Sequence, residues 1–269
     1  MSHIYKHPRE YELEHLGDDE DVAFYVSMVR ELRPRRVLEL GCGTGRITLP
    51  LGEEGARSGF EVIGLDSQPE MLERARQSLA DQPLEVRQCI QFVAGDMKTF
   101  SADAKLDLIL IPCASISHVL DLEEQIAVFK RCYSNLDSGG RFVVEVNMPN
   151  MAAYADSFSV PRRTPLEIDL DRTDDSDDTR LIRRKTTRYL SDRQLAEIRF
   201  LYEKYRHGRA VESYIDDFQS HVFFPRELAL LFIHAGFRLE RTLGDYRGRA
   251  LAPNSPLIIM IGKRTDESC

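Results

Sequence analysis

The segment Val37-Leu38-Glu39-Leu40-Gly41-Cys42-Gly43-Thr44-Gly45 sets the first chemical constraint: an apolar run closed by three glycines at alternate positions. Glycines let a backbone turn sharply and approach a ligand closely. The spacing is GxGxG, not the GxGxxG that cradles the pyrophosphate of a dinucleotide. Glu39, two residues before the first glycine, points the same way. Its charge would repel a pyrophosphate and suits a ligand that carries positive charge. Asp66 ends the next apolar run, where a carboxylate accepts from paired ribose hydroxyls. Gly95-Asp96-Met97 follows the third run. Asp96 is placed to accept from an adenine amino group, with the Met97 backbone at the ring edge and Met71 on the ring face. Cys42, Ser67 beside Asp66, and Cys113 after the fourth run complete the candidate set. Taken singly, GxGxG is a turn, Asp66 a helix-dipole residue and Gly95-Asp96 an ordinary loop. Set at the carboxyl ends of successive strands, they describe a site for a phosphate-free nucleoside cation.

These residues need elements to hold them. A helix is read from about Glu20 to Arg33, capped by Asp18 or Asp19, with Val22, Val26, Val29 and Leu32 on one face. Arg36 to Leu40 is a short buried strand. A helix from about Arg46 to Glu54 stops at Gly55. Glu61 to Leu65 is the second strand, and Ser67-Gln68-Pro69-Glu70 is a capping box for the helix carrying Met71 and Leu72. Cys89 to Ala94 and Leu106 to Ile111 are further strands. Asp121, with Glu124, caps a helix that ends near Gly139-Gly140, and Arg141 to Val146 is the next strand. Apolar runs alternating with helical patterns give βαβ units and a parallel sheet. Beyond Val146 the rhythm breaks. Residues 150–179 read as irregular, with Asp169 to Asp178 a solvated acidic loop. Leu181–Leu190, Gln194–Tyr205 and Arg209–His221 alternate like three antiparallel strands. A helix from Pro225 to Gly236 follows, with proline in its first turn. Strands Phe237–Leu243 and Leu257–Gly262 close the core, and the tail Thr265–Cys269 frays.

The sequence resembles the class I S-adenosylmethionine-dependent methyltransferases over most of its length, from about Tyr5 to Arg264, except in the antiparallel insert. VLELGCGTGRITLPL resembles the family's first motif, VIGLDSQPEML its ribose and adenine segment, and FVAGDM its adenine-edge motif. LDLILIPCASISHVL resembles the fourth-strand motif and NLDSGGRFVVEV the entry to strand five. HAGF, then GDY and LIIMIGKR, resembles the carboxyl-terminal hairpin. The resemblance implies an α/β, Rossmann-like seven-stranded methyltransferase sheet, ordered 3-2-1-4-5-7-6 with the last strand antiparallel, and an antiparallel β insert after strand five. It implies S-adenosyl-L-methionine as cofactor, S-adenosyl-L-homocysteine as product, and cofactor roles for Glu39, Gly41, Gly43, Asp66, Asp96 and Met97; Arg46 is a variable loop position. That cofactor bears a sulfonium and an ammonium against one carboxylate and no phosphate. Residues 1–148 and 222–269 then form the cofactor-binding core, and 149–221 a β-rich, acceptor-binding lobe. Tyr5 and Tyr11 are candidates to close over the methionine end as a lid, which adds Tyr11 to the cofactor set.

Family members that methylate nucleobase amines end the fourth strand with Asn/Asp-Pro-Pro-aromatic. Here the segment is Ile111-Pro112-Cys113-Ala114-Ser115-Ile116-Ser117-His118. It looks more like the Asn-Ser-Phe-Ala-His of small-molecule N-methyltransferases of glycine and amino-sugar type. Ser115 and His118 match, and Ala114 stands at the Asn position. The acceptor candidates are therefore Ser115, His118, Tyr202 and Tyr214, with the other insert aromatics read as packing. His118 is the candidate general base, because imidazole titrates near neutrality; the alternative is that it only hydrogen-bonds the acceptor or its own helix start.

Composition bounds the reading. The chain has 269 residues, 42% apolar with 13 Phe, and a net charge of −8 from 44 acidic and 36 basic side chains. That balance argues against a duplex nucleic acid substrate, which needs a basic face. The polar start MSHIYKHPREYELEH lacks the apolar stretch of a secretion signal, and no run reaches the length of a membrane span. Cys42, Cys89, Cys113, Cys132 and Cys269 form no CxxC pair, so no zinc site or disulfide framework is expected. The chain reads as a cytoplasmic enzyme without metal, acting on a small-molecule nitrogen or oxygen, with the insert as a surface for oligomerisation. The alternatives are methylation of RNA or a protein side chain, or a protein that holds the cofactor without catalysis.

Overall fold

In chain order the computed structural model, which describes residues 3–158, 160 and 162–265, runs as follows. Helices α1 (Pro8–Glu14) and α2 (Glu20–Leu32) lead to strand β1 (Arg36–Leu40), α3 (Thr48–Ser58) and β2 (Glu61–Asp66). Then come α4 (Pro69–Ala80), α5 (Leu84–Cys89), β3 (Ile90–Ala94), β4 (Leu106–Ile111), α6 (Leu122–Asn135) and β5 (Leu136–Asn147). Helix α7 (Met151–Asp156) precedes β6 (Glu167–Asp174), β7 (Thr179–Leu190), β8 (Leu195–Arg206) and β9 (Arg209–His221). Helix α8 (Pro225–His234), β10 (Phe237–Leu243) and β11 (Leu257–Arg264) finish the chain.

Two units result: residues 19–148 with the chain from 223 onward, and residues 1–18 with 149–222. The first carries the seven-stranded sheet, ordered β3-β2-β1-β4-β5-β11-β10. This is the 3-2-1-4-5-7-6 arrangement, since β10 and β11 are its sixth and seventh strands. Strands β1 to β5 pair in parallel, and β11 runs antiparallel to both β5 and β10. Both faces are covered, so the central strands are near-continuous apolar runs. Leu106, Leu108, Ile109, Leu110 and Ile111 of β4 are all fully buried, each contributing about 1.5–3 kcal/mol. Asp121 caps α6, its carboxylate accepting from the amides of Glu123 and Glu124 at 2.9 and 3.1 Å.

Several expected boundaries move. Helix α3 runs through Gly55 and ends at Gly59, which adopts φ 80°. A Cβ on Gly55 would sit 2.6 Å from the Phe60 carbonyl oxygen, so this glycine serves close packing rather than termination. The Ser67 capping box does not form. Gln68 is the N-cap, with no side-chain cap bond, and Pro69 opens the helix. The Asp66 carboxylate takes the Gln68 amide at 2.8 Å instead. Helix α6 ends at Asn135, and Gly139-Gly140 lies within β5.

The insert is a sheet of four antiparallel strands, β6-β7-β8-β9, one more than the sequence pattern indicated. The acidic stretch read as a loop contains edge strand β6. Its charges are paired across the ladder: Arg180 with Asp171, and Arg183 with Asp169 at 2.9 Å. The arm 1–18, read with the core, joins this unit instead. Ile4 and Leu13 complete a buried cluster with Leu181, Phe200 and Tyr202. The Ile4 amide donates to Asp216 at 3.1 Å, and Arg183 pairs with Glu14 at 3.0 Å. Among the described residues no helix is long and apolar enough to cross a membrane. No cluster of metal-ligating side chains is found among them. Cys42, Cys89, Cys113 and Cys132 are free thiols; Cys269 and the tail from residue 266 lie outside the described residues.

Candidate functional site

The loop after β1 passes three times through the left-handed region, at Gly41 (φ 76°), Gly43 (φ 55°) and Gly45 (φ 83°). Only glycine adopts these angles freely, which accounts for the GxGxG spacing. The amides of Gly41 and Cys42 donate to the Leu65 carbonyl at 2.8 and 3.1 Å, tying the loop to β2. The Gly43 amide donates to Asp66 Oδ2 at 2.8 Å. Asp66 thus holds the glycine loop and the start of α4 at once, and a carboxylate has lone pairs beyond those these donors fill. Burial raises its pKa against the pull of those amides.

Three motif segments meet at Gly41. A Cβ there would lie 3.0 Å from Ser115 Oγ and 3.7 Å from Met97 Cε. The loops after β1, β3 and β4 therefore converge, as expected for ligand-binding edges of an open α/β sheet. Gly95 donates its amide to the Asp66 carbonyl at 2.9 Å. Asp96 is half-exposed and takes the Lys98 amide at 2.8 Å. Met71 is buried in α4, and Ser67 is exposed beside Asp66. Cys42 turns its side chain inward against Leu72 and Phe92, so what it offers the loop is backbone.

Glu39 is buried at the end of β1, where Thr48 Oγ1 donates to it. Burial lifts its pKa to about 8, opposed by Thr48 and the Arg46 charge and reinforced by Asp66 and Asp21. A carboxylate so far from water calls for a positive partner.

Past β4 the backbone is strained. Cys113 (φ 53°) and Ala114 (φ 55°) are consecutive non-glycine residues in the left-handed region, each costing on the order of 1–2 kcal/mol. They lead into a 3-10 turn, Ser115–His118. Ser115 Oγ donates to the Pro112 carbonyl at 2.9 Å, and His118 ends the turn exposed. Arg46 reaches the Cys113 sulfur at 3.1 Å and pairs through both terminal nitrogens with Asp21 of α2.

Sequence reasoning missed the group beneath this turn. Glu145 of β5 is 3% exposed. Its Oε2 accepts from Tyr25 at 2.8 Å and its Oε1 from Tyr246 at 2.7 Å. Burial raises its pKa to about 6, with the hydroxyls of Tyr246 and Tyr25 pulling the other way. The signal was present in FVVEV: an acid inside a strand covered on both faces must have partners.

Tyr11, Tyr202 and Tyr214 belong to the insert unit. Tyr11 packs on Tyr5 and on His15, the latter with centroids 4.8 Å apart. Tyr202 is fully buried and donates to Glu14 at 2.5 Å. Tyr214 stacks on Tyr202 at 4.7 Å and on His7 at 5.2 Å. These rings build the interior that fastens the N-terminal arm.

Residues 37–140 match a family described as a methyltransferase domain. The YqeM protein of Bacillus subtilis (strain 168) is 26% identical over 212 residues, 78% of this chain and 76% of that protein. The cypemycin N-terminal methyltransferase of Streptomyces sp is 29% identical over 125 residues; the match takes in 46% of this chain and 47% of that enzyme, about half its length. In fold, the chain is similar to the CcbJ methyltransferase of Streptomyces caelestis, with TM-score 0.72 and 21% identity over 91% of this chain and 96% of that one. It is also similar to CalS10, an amino pentose methyltransferase of Micromonospora echinaspora involved in calicheamicin biosynthesis. There the TM-score is 0.64 and the identity 20%, over 91% of this chain and 90% of that one.

Proposed function

We propose, from the premise that the chain is a class I S-adenosylmethionine-dependent methyltransferase, that it methylates a nitrogen or oxygen of a small molecule in natural-product tailoring. The observation that carries this reading is the extent of the likeness to CcbJ and CalS10. It takes in 91% of the chain, more than the core unit alone. CalS10 methylates an amino pentose by its name. The segment Pro112–His118, which lacks the pattern of nucleobase enzymes, and the net charge of −8 support the same reading.

Bound cofactor supplies a methyl group already activated by its sulfonium. The residues present fit it: Glu39 is a buried acid whose carboxylate needs a counter-charge, and Asp66 is a fixed acceptor beside a backbone cradle. Glu39 accordingly faces the cationic end, while Asp66 accepts from the ribose hydroxyls. Asp96 and the Met97 backbone read the adenine edge, and Met71 backs the ring. Ser115 and His118 orient the acceptor lone pair, whereas Tyr202 and Tyr214, read from the sequence as acceptor contacts, are taken up in packing the N-terminal arm. The main task of these groups is alignment and exclusion of water. His118 takes a proton only where the nucleophile has one to lose. The same reading places the enzyme in the reducing cytoplasm, with the insert as the surface for self-association.

The test is release of S-adenosylhomocysteine against a panel of amino sugars, amines and hydroxylated metabolites, with RNA and polypeptides as further arms. Turnover confined to RNA or polypeptide would overturn the small-molecule reading. Calorimetry that found NAD binding and no response to either adenosyl ligand would overturn its premise.

A further inference from the structure

The geometry points to Arg46, oriented by Asp21, as the cation that receives the carboxylate of the cofactor's methionine moiety, an inference that rests on the placement of Glu39 at the cationic end. Arg46 follows Gly45 directly, at the end of the glycine loop. Its guanidinium meets two other elements. Nη1 donates to Asp21 Oδ1 of α2 at 2.9 Å, and Nη2 donates to the second Asp21 oxygen. Nη2 also reaches the Cys113 sulfur at 3.1 Å, which joins the loop after β1 to the loop after β4. Those two strands are neighbours, with Glu39 beside Leu110. On its other side β1 pairs with β2, and β4 with β5, so the strand order reverses between β1 and β4. An open α/β sheet binds its ligand in the crevice outside such a reversal. Arg46 therefore stands across the crevice that takes the cofactor.

Two acids share this corner. Asp21 is one. Glu39 is the other, its carboxylate held by Thr48 Oγ1 at the start of α3, two residues beyond Arg46. The side chains of Arg46 and Asp21 are 17% and 8% exposed, so water and salt screen their charges little. The corner thus sets two carboxyl groups and one guanidinium against a ligand with two positive groups and one carboxylate. The charges mirror one another when the acids face the sulfonium and ammonium and Arg46 faces the carboxylate. A ligand carboxylate entering beside Glu39 and Asp21 without a cation would meet repulsion alone. A guanidinium carries five N–H donors in one plane, so one carboxylate can set its orientation while another is received. Asp21 is the positioning residue of this pair.

The test compares S-adenosylmethionine with its decarboxylated form, which lacks only that carboxylate. Calorimetry on the full chain at pH 6.5 keeps the amines of both ligands charged. Wild type binds the decarboxylated ligand at least tenfold more weakly. In Arg46→Met this preference falls to about threefold or less, because S-adenosylmethionine alone loses a partner. Arg46→Lys keeps the charge without the fork and retains an intermediate preference. Equal affinity of the wild type for the two ligands overturns the inference. So does an R46M variant that weakens both ligands by the same factor, which would make Arg46 a clasp between α2 and the glycine loop alone. If R46M leaves Asp21 uncompensated and does not fold, Arg46→Met with Asp21→Asn removes both charges and decides by the same ratio. Glu39→Gln separates the two readings. Both ligands keep their cations, so E39Q weakens them by one common factor. Unchanged binding of both in E39Q would overturn the placement of Glu39, and the Arg46 ratio still decides where the carboxylate lies.

Discussion

If Glu39 faces the cationic end of the cofactor as proposed, binding is proton-linked, and the size of the effect follows from the burial of Glu39. Its pKa is lifted to about 8 in the ligand-free protein. At pH 6.5 the group is then almost wholly protonated, and ionised in only about 3% of molecules. A bound sulfonium and ammonium favour the carboxylate, so binding expels a proton. The release is close to one proton per cofactor at pH 6.5 and roughly half of one at pH 8. Affinity rises about tenfold per pH unit below 8, for as long as the bound form stays ionised. Calorimetry in two buffers of different ionisation enthalpy measures the proton count. Work at pH 6.5 keeps the cofactor's own amine, with a pKa of about 7.7–8.0, charged throughout.

Stability moves the opposite way. The unfolded acid ionises near 4.5 and the folded one near 8. A raised folded pKa means that the native state binds the extra proton, so its stabilising contribution is full below 4.5 and is lost as pH rises to 8. The loss in the ligand-free protein is at most about 5 kcal/mol. Glu39→Gln removes this penalty. The variant is therefore more heat-stable than the wild type at pH 8 without cofactor, gains less from added cofactor, and releases no proton on binding. Equal proton release in E39Q and wild type, or none in either, refutes the reasoning.

Asp66→Asn removes a charged acceptor, and cofactor affinity falls at least tenfold with the fold intact by circular dichroism; unchanged affinity would mean that Asp66 only ties Gly43 and Gln68. Gly41→Ala forces an unfavourable φ of 76° and a Cβ 3.0 Å from Ser115; calorimetry should show at least tenfold weaker cofactor binding, and wild-type affinity would unseat the glycine loop from the site. His118→Gln raises the acceptor KM several-fold and leaves cofactor affinity alone; a kcat loss of about 10²–10⁴ together with loss of the acidic limb would make His118 a base instead.

The core unit was legible because its signals are local. Glycine spacing, acids at strand ends and alternating apolar runs each sit within a few residues of what they specify. The sheet order needed the resemblance, since no local pattern states which strands pair. Failures came where one residue does the work assigned to another. Ser67 is the better N-cap type, yet Asp66 already faces the Gln68 amide from the end of β2 and takes that bond. Gly55 looks like a helix stop, yet its missing Cβ lets the Phe60 backbone approach. The acidic run 169–178 reads as solvated because its partners, Arg180 and Arg183, become neighbours only once β7 lies beside it.

The N-terminal arm and Glu145 show why long-range charge pairing escapes a linear reading. Nothing within MSHIYKHPREYELEH says that Glu14 will meet Arg183 and Tyr202, residues 169 and 188 positions away in the chain. An amphipathic segment that short has no stable helix alone and takes its structure from what it packs against. Glu145 is different, because its own surroundings do carry information. In FVVEV every neighbour is a residue of the buried strand, and an unpartnered carboxylate there would cost more than the strand's apolar burial returns. The sequence therefore demands donors for Glu145 without naming them. The hydroxyls of Tyr25 and Tyr246 are the answer that the fold supplies.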